Sequence, residues 1–199
     1  MVFDKEYILE NDRVLLSPLD EVNEKELAHF ALEEPNLWDY SLLPANGTEN
    51  YNKYIQYALD TRKSKSAYPF LVYDKKMKAY AGSTRFYDYQ ERHNTVQLGF
   101  TWYGEKFQGT GLNKNCKFLL LQFAFETLNL ARVEFRADNN NERSIAAMKS
   151  IGCQFEGVLR NNCASSTGRR DSIVLSILES EWHDSAKQNL INKIGAKLQ

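Results

Sequence analysis

Two short stretches carry residue types that could do chemistry. The first is Gln108-Gly109-Thr110-Gly111-Leu112-Asn113. Two glycines one residue apart let the backbone turn sharply and leave its amides exposed, and an apolar helical pattern follows at once, so a helix dipole points its positive end at the same place. Exposed amides at a dipole end suit a phosphate or diphosphate. The common nucleotide loops do not fit: a dinucleotide fingerprint beginning at Gly109 needs a third glycine where Lys114 stands, and a Walker A loop needs Lys-Ser/Thr where Thr110-Gly111 stands. The bland alternative is a strand-to-helix turn that uses glycine for geometry alone, and the pattern by itself leaves both readings open.

The second stretch is Asp138-Asn139-Asn140-Asn141-Glu142-Arg143-Ser144. Asn141 is placed to cap a short helix, and Ser144 falls in its first turn. Metal chemistry has no support. Cys116, Cys153 and Cys163 are widely spaced without a Cys-x-x-Cys pair, and His29, His93 and His183 stand in unrelated contexts. No metal is expected, and an odd set of scattered thiols fits a reducing compartment.

The elements that must position these stretches follow from periodicity. Val14-Leu15-Leu16 reads as a first strand ending at Ser17-Pro18, and Glu21 to Glu33 as a helix stopped by Pro35. A second helix is expected from a Thr48 cap through Tyr51, Tyr54, Ile55, Ala58 and Leu59, which form one stripe. Tyr68–Tyr73, Tyr80–Tyr87 and Thr95–Tyr103 are rich in aromatic and β-branched residues and predict an antiparallel meander. Leu112, Cys116, Leu119, Leu120 and Phe123 predict a largely buried helix ended near Asn129. A strand over Arg132–Ala137, a helix over Glu142–Ser150 closed by Gly152, and strands over Phe155–Leu159 and Ser172–Leu178 complete the pattern, with a helical tail after Trp182 that could serve as a dimer contact. This order argues for an α+β layer with a mostly antiparallel sheet, not a doubly wound parallel one.

Composition bounds what such a fold can do. The chain has 199 residues, 43% hydrophobic and 26% charged, with no repeat or linker tract, so one domain over 1–199 is expected, with 180–199 as its tail. Lys plus Arg is 25 and Asp plus Glu is 26, a net charge of −1. No broad basic surface is available, so nucleic acid is not an expected partner. The opening residues show no basic n-region or continuous apolar h-region, and no apolar run approaches the ~20 residues of a membrane span. A cytoplasmic protein without a membrane partner is expected.

Taken together in order, the motifs resemble those of the GNAT acetyltransferases, specifically the ribosomal-protein-type N-acetyltransferases of the RimJ/RimL group. The resemblance rests on Leu98-Gly99-Phe100-Thr101-Trp102, Gln108-Gly109-Thr110-Gly111-Leu112-Asn113, Arg132-Val133-Glu134-Phe135 with Asp138, Asn141, Glu142, Arg143 and Ser144. It continues through Ile151-Gly152, Phe155-Glu156-Gly157-Val158-Leu159-Arg160, Arg169-Arg170-Asp171 and Ser176-Ile177-Leu178, and more loosely through Pro35-Asn36-Leu37-Trp38. It implies a mixed, mostly antiparallel sheet with helices on both faces, whose fourth and fifth strands splay apart around acetyl-coenzyme A. Thr101, Trp102 and Tyr103 would then offer a strand edge to the pantetheine amides. Gln108, Gly109, Thr110, Gly111, Leu112 and Asn113 would hold the diphosphate, and Lys114 would approach the adenosine phosphates. The family's general pattern has Gly or Ala at Asn113, although Asn is familiar in this group.

The resemblance further implies an amine acceptor, either a protein N-terminus or a small molecule, and a monomer or homodimer. Ser144 would be the proton donor to the leaving thiolate and Asn141 would position the pantetheine arm, while an amide near Thr101 or Trp102 polarises the carbonyl. Trp38, Asp39, Tyr40, Tyr87, Asp88 and Tyr103 are candidates for the acceptor cleft, the rings as a wall and the carboxylates as an attraction for ammonium. The base is not evident. Gln97 and Asn161-Asn162-Cys163 stand where relatives carry a proton acceptor, and Glu134 and Glu156 are the remaining substitutes. A coenzyme-binding module without turnover is therefore the reading of another class.

Overall fold

The computed structural model describes residues 1–165 and 168–195. Its frame is an eight-stranded sheet in the order β1-β2-β3-β4-β5-β6-β8-β7. The strands are β1 (Leu9–Glu10), β2 (Val14–Pro18), β3 (Ala67–Asp74), β4 (Ala79–Gln90), β5 (Thr95–Tyr103), β6 (Arg132–Asp138), β7 (Gln154–Ser165) and β8 (Gly168–Leu178). Every neighbouring pair is antiparallel except β5 and β6. The two-residue β1 was not readable from the sequence, and its presence makes β5 and β6 here the fourth and fifth strands that were expected to splay.

The parallel pair meets only at Thr95–Arg132, Val96–Val133 and Gln97–Glu134. Beyond Gln97, β5 keeps β4 on one side and β6 keeps β8 on its other side, so the facing edges diverge unpaired. Such a wedge has its mouth at the C-terminal ends of two parallel strands, the place where α/β sheets leave a crevice for ligands.

The helices are α1 (Ala28–Glu33), α2 (Gly47–Lys63), α3 (Leu112–Gln122), α4 (Glu142–Ser150), α5 (Glu179–Glu181) and α6 (Lys187–Ile194). Three boundaries differ from the sequence expectation. The first helical segment winds as a 3-10 turn over Glu24–Leu27 before α1 begins. The second starts at Gly47 behind Asn46, not at a Thr48 cap, because Gly47 at φ +76° makes the turn into it. The third does not end cleanly: Phe123–Thr127 forms a π turn, and Asn129 at φ +52° reverses the chain. A second π turn, Trp182–Ala186, separates α5 from α6. The two π turns pack together, with Trp182 stacked on Phe125 at 5.7 Å and its Nε1 donating to Glu126 Oε1 at 2.8 Å.

Alternation places Val96, Leu98, Val133, Phe135, Leu175 and Ile177 on one sheet face, all buried with the inner side of α3, where Cys116, Leu120 and Leu121 have no exposure. The predicted α2 stripe, Tyr51, Tyr54, Ile55, Ala58 and Leu59, is buried too. β7 and β8 extend well beyond the expected segments and form a long hairpin, most of β7 being exposed. The expected helical tail runs through Ile194; its last residues, 196–199, lie outside the described ones.

Candidate active site

Both candidate stretches stand at the mouth of the wedge, because α3 follows β5, α4 follows β6, and the two strands run the same way. Arg143 at the start of α4 donates to Gln108 Oε1 before α3, tying the two helix N-termini together, and Gln108 Nε2 donates to the Tyr103 carbonyl at 2.8 Å.

The glycine segment has the geometry an anion needs. Gly109 and Gly111 sit at φ +71° and +86°, where an L side chain is strained, and a Cβ on either would meet nothing within 4 Å. The glycines are thus required by the backbone and leave open space in front of them. Among the described residues, no amide from Gly109 to Lys114 donates to a protein acceptor; the first amide engaged is that of Asn115, bonded to the Gly111 carbonyl. A run of unsatisfied N–H groups at a helix N-terminus is the physical form of a diphosphate cradle, so the residues present fit coenzyme A. Around it, Thr110 Oγ1 donates to the Phe107 carbonyl at 2.7 Å, and Arg13, itself paired with buried Asp74 at 2.6 Å, reaches Thr110 Oγ1 at 3.3 Å. Leu112 is buried as the anchor of the turn, Asn113 accepts from Tyr103 Oη at 3.2 Å, and Lys114 is half-buried.

β5 bends where the wedge opens. Between the pairs Ser83–Trp102 and Arg85–Gly99, one β4 residue, Thr84, faces two of β5, Phe100 and Thr101, so Phe100 bulges out at φ +47°. A bulky residue in the left-handed region costs about 1–3 kcal/mol and re-aims the neighbouring amides. Thr101, next along, bonds Thr84 Oγ1 at 2.7 Å and accepts from Lys117 Nζ at 2.8 Å. Sequence reading missed Lys117. It is 5% exposed on α3, 5.8 Å from the Phe135 ring, and burial lowers its pKa to about 8, with Cys116 and Cys153 opposing. The signal was a lone charge inside the apolar run from Cys116 to Phe125. Burial also pushes the Cys116 and Cys153 thiols up to about 12 and the Tyr103 phenol well above its usual range.

At the other lip, Asn141 Oδ1 accepts from the Ser144 amide at 3.0 Å and caps α4, as its position predicted. The Ser144 hydroxyl has no hydrogen-bond partner among the described residues, so it does not spend itself on local backbone.

The acceptor candidates separate. Asp39 and Tyr40 line a cavity of about 240 Å³ with Ser41, Asp138, Asn140 and Ser165, between the loop after α1, the β6–α4 turn and the β7–β8 hairpin. Trp38 turns the other way, 4% exposed and edge-on to Trp102 at 4.8 Å, and Trp102 donates to Tyr54 Oη at 3.0 Å. Tyr87 packs edge-on against Phe100 at 5.1 Å, its phenol pushed up to about 12 by burial. Asp88 is engaged, accepting from Gln97 Nε2 at 2.7 Å and Gln90 Nε2 at 2.6 Å.

The possible bases are also accounted for. Glu134 pairs with Arg132 at 3.0 Å and Arg136 at 2.8 Å. Glu156 bonds Ser176 and Arg132, which together hold its pKa below the usual carboxylate value. Cys163 is half-buried with its Sγ 4.0 Å from Ser172 Oγ. No group of His, Cys, Asp and Glu among the described residues could hold a metal, and no described helix is long and apolar enough to cross a membrane.

Comparison with known proteins gives this geometry its context. The chain is 29% identical over 112 residues, 56% of its length, to the "Putative ribosomal N-acetyltransferase YdaF" of Bacillus subtilis, and spans 59% of that relative. A GCN5-related N-acetyltransferase from Brucella melitensis superposes with a TM-score of 0.88 at 23% identity, covering 97% of this chain and 87% of that one. RimL, the ribosomal L7/L12 alpha-N-protein acetyltransferase, solved in complex with coenzyme A, superposes at 0.76 and 17% identity, covering 88% and 99%. At these identities the two structures show a shared fold. The family model described as an acetyltransferase (GNAT) domain matches residues 13–154. With the wedge, the bulge and the unbonded amides lying inside that match, the chain belongs to the GNAT acetyltransferase family.

Proposed function

We propose that this chain transfers the acetyl group of acetyl-coenzyme A to a primary amine, and that its preferred acceptor is the α-amine of a protein or peptide N-terminus. The observation that carries the reading is the unbroken run of undonated amides from Gly109 to Lys114 at the mouth of a wedged sheet. The comparison proteins named for ribosomal and α-N-protein acetylation support the choice of acceptor.

When bound, the coenzyme supplies an acyl thioester ready for amine attack. The amides of Gly109 to Lys114 grip the diphosphate, and the unpaired edge of β5 aligns the pantetheine arm as an added strand would. Amides re-aimed by the Phe100 bulge polarise the thioester carbonyl. Asn141 keeps its side-chain NH₂ for the arm while its oxygen caps α4, and the uncommitted Ser144 hydroxyl returns a proton to the leaving thiolate. Asp39 and Asp138, on the cavity at the mouth, draw in the acceptor ammonium.

The lack of a free carboxylate bears on which amine reacts. Glu134 and Glu156 are tied to arginines and Gln97 cannot accept a proton usefully. An α-amine, with a pKa of about 7.7–8.0, is already partly neutral at pH 7, whereas a lysine amine near 10.4 is not. Chemistry through water therefore favours the α-amine. Thiol release from acetyl-coenzyme A, with mass spectrometry of products across peptides, lysine derivatives and small amines, tests the reading. Acetylated peptide N-termini are expected; preferred small-amine products would replace the acceptor, and tight coenzyme binding without any product would make the chain a binding module.

A further inference from the structure

Arg85 stands on β4 with 0% exposure, and its Nε, Nη1 and Nη2 are all buried without a hydrogen-bond partner among the described residues. Alternation explains where it goes. Thr84 turns to the α3 side, toward Lys117, so Arg85 turns to the opposite face, under α2. There its guanidinium carbon lies 4.3 Å from the Phe100 ring centroid, 5.0 Å from Tyr54 and 5.7 Å from Tyr57. Three ring faces attract a cation, but none can accept its fan of N–H donors. A charge buried this way is costly to keep unless something completes it.

A second unsatisfied donor belongs to the same cluster. Trp38 Nε1 is buried without a partner, and its ring sits 5.8 Å from Tyr54, the ring Arg85 also faces. Two orphaned donors around one tyrosine point to a missing acceptor. One wall of the cage reaches the surface: Tyr57 is 45% exposed, and its ring packs 6.2 Å from that of Phe100, the bulge residue whose neighbours meet the acyl group in the proposed function. A planar anion that displaced the exposed Tyr57 ring from Phe100 would meet the guanidinium fork and lie beside the acetyl-transfer point.

We propose that Arg85, supported by Trp38 Nε1, is the carboxylate-recognition group of the acceptor site, and that the acceptor carries a carboxylate close to the amine that is acetylated. A carboxylate matches the guanidinium fork with two parallel N–H···O bonds, which no neutral amide or hydroxyl can do. The inference deepens the proposed function and rests on it for the identity of the second ligand. The carboxylate can come from an acidic side chain early in a peptide or from the α-carboxylate of a free amino acid.

The test compares peptides beginning Ser-Asp or Ser-Glu with Ser-Asn or Ser-Gln counterparts, alongside free amino acids, using the full chain and Arg85→Met and Arg85→Lys variants. Wild type should prefer the acidic member by about 10- to 100-fold in kcat/KM, mainly through KM. Arg85→Met should erase that preference, kcat/KM falling far more on the acidic peptide than on the neutral one, and Arg85→Lys should restore part of it. Turnover of free amino acids in place of peptides would assign the carboxylate to that source. If no acceptor turns over, thermal shift with the acidic peptide separates the two proposals: stabilisation in wild type, absent in Arg85→Met, keeps the carboxylate site while acetyl transfer fails. Equal use of acidic and neutral peptides by wild type overturns the inference, whether or not Arg85→Met folds. So does an equal loss on both peptides in a folded Arg85→Met.

Discussion

Ser144 and Lys117 show what single side chains contribute at this site. The Ser144 hydroxyl sits in the first turn of α4 with no bond of its own, while the neighbouring cap is made by Asn141. Removing that hydroxyl should leave α4 and coenzyme affinity intact and lower turnover by about 10²- to 10⁴-fold. An unchanged rate for Ser144→Ala would make the residue a helix-surface serine. Lys117 titrates rather than reacts. Burial brings its pKa from 10.5 to about 8, so between these values the unfolded chain holds a proton that the folded chain has released. Stability from this group therefore rises with pH through that window, and below about pH 8 the full cost of a buried cation stands. Lys117→Met should be more stable than wild type by on the order of 1–4 kcal/mol at pH 7, with the gap closing toward pH 10 in urea unfolding. The thiols of Cys116 and Cys153, which stay protonated to about 12, act in the opposite sense, above the pH at which the two chains differ most. A gap independent of pH would show that Lys117 is not charged in the way its burial dictates.

Among the elements, the turn into α3 decides ligand binding. Because a Cβ at Gly111 meets no protein atom, the cost of a side chain there comes from φ +86° and from whatever occupies the open space. Gly111→Val should fold with a modest loss of stability yet lose coenzyme affinity. Wild type at a coenzyme concentration a hundredfold above Kd should gain about 2.7 kcal/mol, which is roughly 5–10 °C in Tm for a chain of this size. The variant should show no such shift, and a retained shift would separate the diphosphate from these amides. This element was readable because its signals are local: two glycines, a preceding β-rich run and a following apolar stripe. The Phe100 bulge was not, because nothing in Gly99-Phe100-Thr101 announces that one residue of β4 must face two of β5. Arg85 and Lys117 were missed for a related reason. Their chemistry comes from burial, and burial depends on which helix covers which face of the sheet. The candidate acceptor residues divide on the same ground, since Asp39 and Tyr40 reach the cavity while Trp38, two positions from Tyr40, packs inward.

For the whole molecule, the parallel seam between β5 and β6 is the organising fact. The mostly antiparallel character was predictable from the run of strands and helices, but the strand order, with β8 between β6 and β7, and the early parting of β5 from β6 are tertiary outcomes. It leaves one leaf, β1 to β5 with α2, and another, β6 to β8 with α4, joined at the centre by the pairs Thr95–Arg132, Val96–Val133 and Gln97–Glu134. On the proposed function, the chain has no complete sheet of its own. Its acyl carrier serves as the missing rung between the leaves, and residues along the gap are kept for the partner they will receive, not for one another.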